Sequence, residues 1–76
     1  MKYLRQEAFI KKLGKRIKEV RIQKGISQED LAFKAGIEYS QVSRIERGII
    51  NTSISQVFVL SQALGVEAYE LFKFKA

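Results

Sequence analysis

The chain has 76 residues, enough for one hydrophobic core, and its 46% of apolar residues is ordinary for a globular domain. It contains no cysteine and no histidine, which excludes disulfides, thiolate chemistry, histidine-activated nucleophiles and nearly all zinc sites, so we expect neither an enzyme nor a bound cofactor or metal. The net charge of +6 suits a polyanionic partner, and it is uneven, because residues 1–25 carry nine Lys/Arg against two Glu while residues 26–48 carry three against four acidic residues.

The first predicted helix runs from about Gln6 to Lys24. Its apolar residues recur at steps of three and four and form one stripe, and Gly25 then ends the helix. Gly14 lies at the edge of the stripe, where it costs helix stability, so we expect another helix to approach closely at this point. The stripe consists of Ile10, Leu13, Ile17 and Val20.

Ser27 is the predicted N-cap of a second helix. Its side chain can accept a hydrogen bond from the backbone of Asp30, and acidic residues occupy the first turn, where the helix dipole favours them. Gly36 is expected to end this helix in the left-handed conformation. A third helix is then predicted over Tyr39–Arg47.

The rest of the chain predicts two further helices, one from the Ser53 cap to Leu64 and a short one from Glu67 to about Phe72. Residues 49–66 carry no charge, but seven of them are Asn, Thr, Ser or Gln, which are costly in lipid, so we expect no membrane span. Residues 1–9 lack the apolar run of a signal peptide. We therefore expect one domain over residues 1–76.

Residues 27–48 have the pattern of a helix-turn-helix, in which two short helices cross at a tight turn. This pattern needs a small residue where the two helices touch and a glycine in the turn. It also needs aliphatic side chains that pack beneath the turn. The second helix has one apolar side and one polar side, which is the arrangement that places a helix in the major groove of DNA. The residues that meet these requirements are Ala32, Gly36, Ile37, Val42 and Ile45.

With their neighbours, these residues resemble the lambda-type repressor and Cro family, also called the Xre family. The resemblance implies an all-α, five-helix, lambda-repressor-like fold whose helices 2 and 3 form the helix-turn-helix. It also implies a homodimer that binds a palindromic operator in double-stranded DNA. There is no room for a separate sensing domain, so no small-molecule ligand is expected. The matching residues are 13–17, 25–32, Gly36, 43–48, Asn51 and 63–66.

The polar side of helix 3 is predicted to face DNA. Arg44 can bind guanine through two hydrogen bonds, the two serines can reach base edges or phosphates, and Tyr39 can contact a thymine methyl or a phosphate. The resemblance implies that Gln28 donates to a phosphate and supports helix 3. The predicted DNA-binding residues are Gln28, Tyr39, Ser40, Ser43, Arg44 and Arg47.

Two charged residues are predicted to pair between helices 1 and 3. Arg21 lies on the apolar arc of helix 1, which is the wrong side for an unpaired charge. Glu46 lies at the inner edge of helix 3, beside Val42 and Ile45. We expect an ion pair that braces helix 3 against helix 1, as the resemblance also implies, and its role is structural.

Several positions depart from the family pattern and suggest a dimer interface. Ile49 and Ile50 follow helix 3 where basic residues are common, Val59 occupies a common lysine position, and Glu38 replaces the usual Ser or Thr cap. These changes weaken the expected phosphate contacts and expose apolar groups, which either form a self-association patch or enlarge the small core. The candidates for the interface are Ile49, Ile50, Val59, Phe72 and Phe74.

The expected function is a sequence-specific transcriptional regulator that binds DNA as a homodimer in the cytoplasm, at the nucleoid. A phage-type repressor and a restriction–modification controller both fit. The alternative is a protein-interaction module, such as an antitoxin, that uses the same fold to bind a protein partner. The near-neutral helix-turn-helix and the exposed isoleucines give this alternative some support. Salt dependence separates the two functions, because DNA binding weakens steeply with added salt.

Overall fold

The computed structural model describes residues 4–76, which fold into four α-helices followed by a 3-10 helix. The helices are α1 (Glu7–Gln23), α2 (Gln28–Ala35), α3 (Tyr39–Arg47), α4 (Ile54–Leu64) and the 3-10 helix (Ala68–Phe72). The all-α class and all five elements are confirmed, although the last is a 3-10 rather than an α-helix. Residues 1–3, part of the stretch in which no signal peptide is expected, lie outside the described range. Every helix within that range is too short or too polar to cross a bilayer.

One hydrophobic core lies between the helices, and each helix contributes the side chains of one face to it. The stripe predicted on α1 is buried throughout. Leu31 of α2, Leu60 of α4 and Leu71 of the 3-10 helix are fully buried against it. Val42 and Ile45 of α3 complete the core, so burial of apolar area fixes the rotation of α3 about its own axis.

Side-chain caps and a glycine turn set the boundaries of α2 and α4. Ser27 Oγ accepts a hydrogen bond from the Asp30 amide at 3.0 Å, and Ser53 Oγ accepts one from the Gln56 amide at 3.1 Å. Gly36 ends α2 with a φ of 70°, a left-handed value that glycine adopts without a steric penalty. All three predictions are confirmed, and the turn at Gly36 directs α3 across α2.

Helices α1 and α3 cross at Gly14. A Cβ atom at Gly14 would lie 2.2 Å from the carbonyl oxygen of Ile45 and 2.8 Å from that of Glu46. Both distances are far below van der Waals contact, so this crossing requires a residue without a side chain. The close approach predicted at Gly14 is confirmed, and it places the inner edge of α3 directly against α1.

Candidate nucleic-acid interface

Helix α3 has a buried face and an exposed face. Val42 and Ile45 are buried in the core, and Glu46 also turns inward. On the other side, four of the five polar side chains are exposed and one is half-buried. This outward face presents one aromatic ring, two hydroxyls and two guanidinium groups, from Tyr39, Ser40, Ser43, Arg44 and Arg47.

The two guanidinium groups of this face remain available to an anion. Arg47 Nε donates to the carbonyl oxygen of Ser43, one turn earlier, at 3.3 Å, which holds the side chain along the last turn of α3. Within residues 4–76, no carboxylate forms an ion pair with Arg44 or Arg47. Guanidinium is suited to planar, bidentate recognition of guanine or phosphate, so the face has the chemistry of a DNA-binding surface.

A buried polar network centred on Glu46 fixes α3 from behind. Arg21 forms a bidentate pair with it, from Nε to Oε2 at 2.6 Å and from Nη2 to Oε1 at 3.0 Å. The Arg21 and Glu46 side chains are 12% and 2% exposed. Arg21 Nη1 also donates to the carbonyl oxygen of Ile26 at 2.9 Å. The pair that the sequence predicts is thus present, and it joins α1 and the turn before α2 to α3.

Gln28, the first residue of α2, belongs to the same network. Its Nε2 donates to Glu46 Oε1 at 2.9 Å, and the side chain is half-buried. Gln28 therefore supports α3 through a direct contact with the carboxylate. An amide nitrogen carries two N–H groups, so this bond leaves one N–H for a further acceptor.

A second polar network, which the sequence reasoning missed, links α3 to α4. Gln41 Nε2 donates to Gln56 Oε1 at 3.3 Å, and Thr52 Oγ1 donates to the same oxygen at 2.7 Å. The network fixes the loop after α3. Gln41 lies beside the exposed face of α3, but no sequence pattern indicates its partner, because Gln56 is 15 residues away on another helix.

Three of the five apolar interface candidates pack partly against the core, and those are Ile50, Phe72 and Phe74. The Phe9 ring contacts both phenylalanines, with centroids 6.4 Å from Phe72 and 5.2 Å from Phe74. The other two candidates are more peripheral, since Ile49 is exposed and Val59 half-buried.

More strongly exposed apolar side chains occur at positions that the sequence reasoning did not name. They are Leu4 before α1, Ile22 of α1, Phe33 of α2, Ile54 and Phe58 of α4, and Tyr69 of the 3-10 helix. A helical wheel of α4 would have indicated Phe58, because this residue lies well away from the side of the buried Leu60 and Leu64.

Comparison with known proteins identifies the family. The chain matches the helix-turn-helix family over residues 17–71. The chain belongs to the helix-turn-helix family. The matched range contains α2, α3, α4 and most of the 3-10 helix, and it includes Gln28, Glu46 and the whole exposed face of α3.

Control proteins are among the relatives of this helix-turn-helix chain. The control protein C.BamHI of Bacillus amyloliquefaciens is 37% identical over 62 residues, which are 80% of this chain and 76% of the relative. The crystal structure of the controller C.AhdI from Aeromonas hydrophila superimposes with a TM-score of 0.83 at 45% identity, over 86% of this chain and 98% of that one.

A third relative was solved on DNA. The restriction–modification controller C.Esp1396I, crystallised as a tetramer with its natural 35-base-pair operator, gives a TM-score of 0.83 at 31% identity. The superposition covers 90% of each chain. The helix-turn-helix of the present chain thus has the same architecture as that of a protein seen bound to its operator.

Proposed function

We propose that this helix-turn-helix protein is a transcriptional regulator that binds a palindromic operator in double-stranded DNA as a homodimer, and that it performs no catalysis. The observation that carries the proposal is the outward polar face of α3, held from behind by the Glu46 network. The likeness to C.AhdI and C.Esp1396I favours a controller of restriction–modification genes. Its place of action is the cytoplasm, at the nucleoid.

In this proposal the exposed side of α3 enters the major groove, and each of its residues makes a different contact with the DNA. Arg44 binds a guanine edge, while Ser40 and Ser43 contact bases or phosphates. Tyr39, at the first turn, contacts a thymine methyl or a phosphate. Gln28 uses its second N–H for a phosphate, which couples the DNA backbone to the carboxylate that holds α3.

Replacement of Arg44 by alanine tests the base contact. We expect each half-site to lose about 1–3 kcal/mol in binding, concentrated at one base pair of that half-site, because a bidentate guanine contact discriminates by about that amount. Bound sequences are first selected from random duplexes, and affinities are then measured for every single-base variant of the selected site. Unchanged affinity at every position would remove Arg44 from the proposed contacts.

Arg44→Lys is the matched control for this experiment. Lysine keeps the positive charge but lacks the planar fork of guanidinium. We therefore expect Arg44→Lys to retain the salt dependence of wild-type binding and to lose most of the preference at the same base pair. A lysine variant with full specificity would show that charge alone, rather than bidentate geometry, accounts for the contact.

The same binding measurements separate DNA binding from the alternative of a protein-interaction module. Affinity for the selected duplex is measured over a range of salt concentrations. A DNA-binding protein releases counterions and its affinity falls steeply with salt, whereas an apolar protein interface is much less sensitive. A chain that selects no duplex sequence and shows no salt-dependent affinity would contradict the proposed function.

For the dimer, we propose that the outer side of α4 is the two-fold interface. Ile54 and Phe58 lie one turn apart and are both exposed, and Val59 is half-buried beside them. A two-fold axis through this surface would bring two copies of α4 together. The two α3 helices would then face the same side of the dimer. Half-sites one DNA turn apart require a distance of about 34 Å between these two helices.

Phe58→Lys tests this interface. We expect a dimer that becomes monomeric at micromolar concentration, because the substitution places a charge from each subunit near the two-fold axis. Sedimentation measures the change. Phe33→Lys, the same exchange at an exposed residue of α2, is expected to leave the dimer intact. A wild-type protein that is monomeric at and above micromolar concentration, or a dimer retained by Phe58→Lys, would contradict the interface.

A further inference from the structure

Basic residues from distant parts of the chain contact the segment that ends α3. Arg47 occupies the last turn of α3, and Gly48 follows it. The stem of Lys11, from α1, lies directly against Gly48, where an ideal Cβ would be 2.7 Å from Lys11 Cα and 2.9 Å from Lys11 Cγ. Lys11 is exposed, and its side chain starts in contact with the residue that ends α3.

The loop after Gly48 receives a second cation from the N-terminal segment. Arg5 Nη2 donates to the carbonyl oxygen of Ile49 at 2.8 Å, and the same guanidinium pairs with Glu7. Residues 49–66 carry no charged side chain of their own. Apart from Arg47 at the end of α3, the positive charge beside this loop therefore comes from Lys11 and Arg5, which precede it by about forty residues in the sequence.

Lys11 is not engaged by an acidic partner. Across residues 4–76, each ion pair involves another cation, namely Arg5, Arg16, Arg21 or Lys73. The dipole of a helix stabilises an unpaired ammonium at its C-terminal end, but that ammonium is also free to bind an external anion. When a helix lies in the major groove, the phosphate backbones border that groove, and side chains at the margins of the helix meet them.

We propose that Lys11, with Arg5 beside it, binds the phosphate backbone of DNA at the exit of α3. The proposal rests on the proposed function and assigns to it a phosphate-binding site that lies outside the helix-turn-helix. In this arrangement Arg47 and Lys11 approach the same backbone from α3 and from α1. Arg5 contributes less than Lys11 does, because its guanidinium already pairs with Glu7 and donates to the carbonyl oxygen of Ile49.

The test compares two variants that remove one positive charge each from α1. Lys11→Met keeps the aliphatic stem against Gly48 and removes the ammonium. Lys12→Met is the control, because Lys12 lies on a different side of α1, in a shallow groove with Arg16, Glu19 and Phe74. Both variants lower the net charge of the protein equally, so a general effect of charge is the same in each. Lys11→Gln is measured in parallel as a second variant that keeps the stem.

The readout is the slope of log affinity against log salt concentration for the selected duplex and for a random duplex. Each lost phosphate contact reduces the steepness of this slope by about 0.9, and the loss is equal on both duplexes because phosphates carry no sequence. Because each subunit of the dimer carries one Lys11, we expect a reduction of about 1.8 in Lys11→Met, a further and smaller one on adding Arg5→Met, and the wild-type slope in Lys12→Met.

The outcomes separate this inference from the proposed function. Wild-type slopes in both Lys11 variants would overturn the phosphate contact while leaving the proposed function intact. If the slopes are wild-type and the free energy of unfolding in urea, measured without DNA, is lower in the Lys11 variants, the role of Lys11 is to stabilise the dipole of α3 instead. A wild-type protein without salt-dependent DNA binding would overturn the proposed function and this inference together.

Discussion

Arg21→Met is expected to lower the free energy of unfolding by about 3–5 kcal/mol, because it leaves a buried carboxylate without its partner. The Glu46 side chain is only 2% exposed, so water cannot replace the guanidinium. Gln28 would remain as a single donor to Glu46 Oε1. A small domain is stable by about 5–15 kcal/mol in total, so this one substitution removes a large part of the stability.

Urea unfolding followed by circular dichroism measures the effect, and a double variant provides the control. Arg21→Met with Glu46→Met replaces both charges by apolar groups, and removal of a whole buried pair is often close to neutral. We therefore expect the double variant to be more stable than Arg21→Met alone. Arg21→Met with the wild-type unfolding midpoint would show that the pair contributes nothing to the fold.

Gly14→Ala is expected to destabilise the protein by about 3 kcal/mol or more, even though alanine favours a helix over glycine by about 1 kcal/mol. The new methyl group would lie 2.2 Å from a backbone carbonyl oxygen of α3, and backbone cannot move aside as a flexible side chain can. Overpacking of this kind costs about 1–3 kcal/mol or more. Separation of α1 from α3 would also lengthen the Arg21–Glu46 hydrogen bonds, which adds to the loss.

Gly36→Ala separates the steric effect from the conformational one. Gly36 has a φ of 70° and no atom within 4 Å of an added Cβ, so alanine there meets only the penalty of the left-handed conformation, about 1–2 kcal/mol. Thermal unfolding compares the variants, since 1 kcal/mol corresponds to about 4–8 °C for a domain of this size. A Gly14→Ala protein as stable as wild type would mean that α1 and α3 are not in close contact.

The parts of the fold that sequence patterns predict are those determined by neighbours along the chain. The stripe on α1, the caps at Ser27 and Ser53 and the turn at Gly36 each depend on residues within a few positions of one another. The Arg21–Glu46 pair is an exception that could still be predicted, because each charge stands on the apolar side of its own helix. A buried charge without a partner is so costly that the two residues must meet.

The features that the sequence does not reveal depend on how distant segments meet. Nothing near Gln41 indicates that its amide will reach Gln56, and nothing near Lys11 indicates that its stem will lie against Gly48. The interface candidates show the same limit. Phe72 and Phe74 look like surface residues of a short tail, but they contact Phe9 and pack partly against the core, while Phe58 remains exposed.

The separation of the two faces of α3 has a consequence for the diversification of operators. The side chains that support the fold from this helix are Val42, Ile45 and Glu46, and none of them belongs to the outward face. Exchange of Ser40, Ser43 or Arg44 therefore removes no core packing. Under the contacts proposed above, duplicated copies of such a gene acquire new target sites by substitution at these three positions while keeping the melting behaviour of their ancestor.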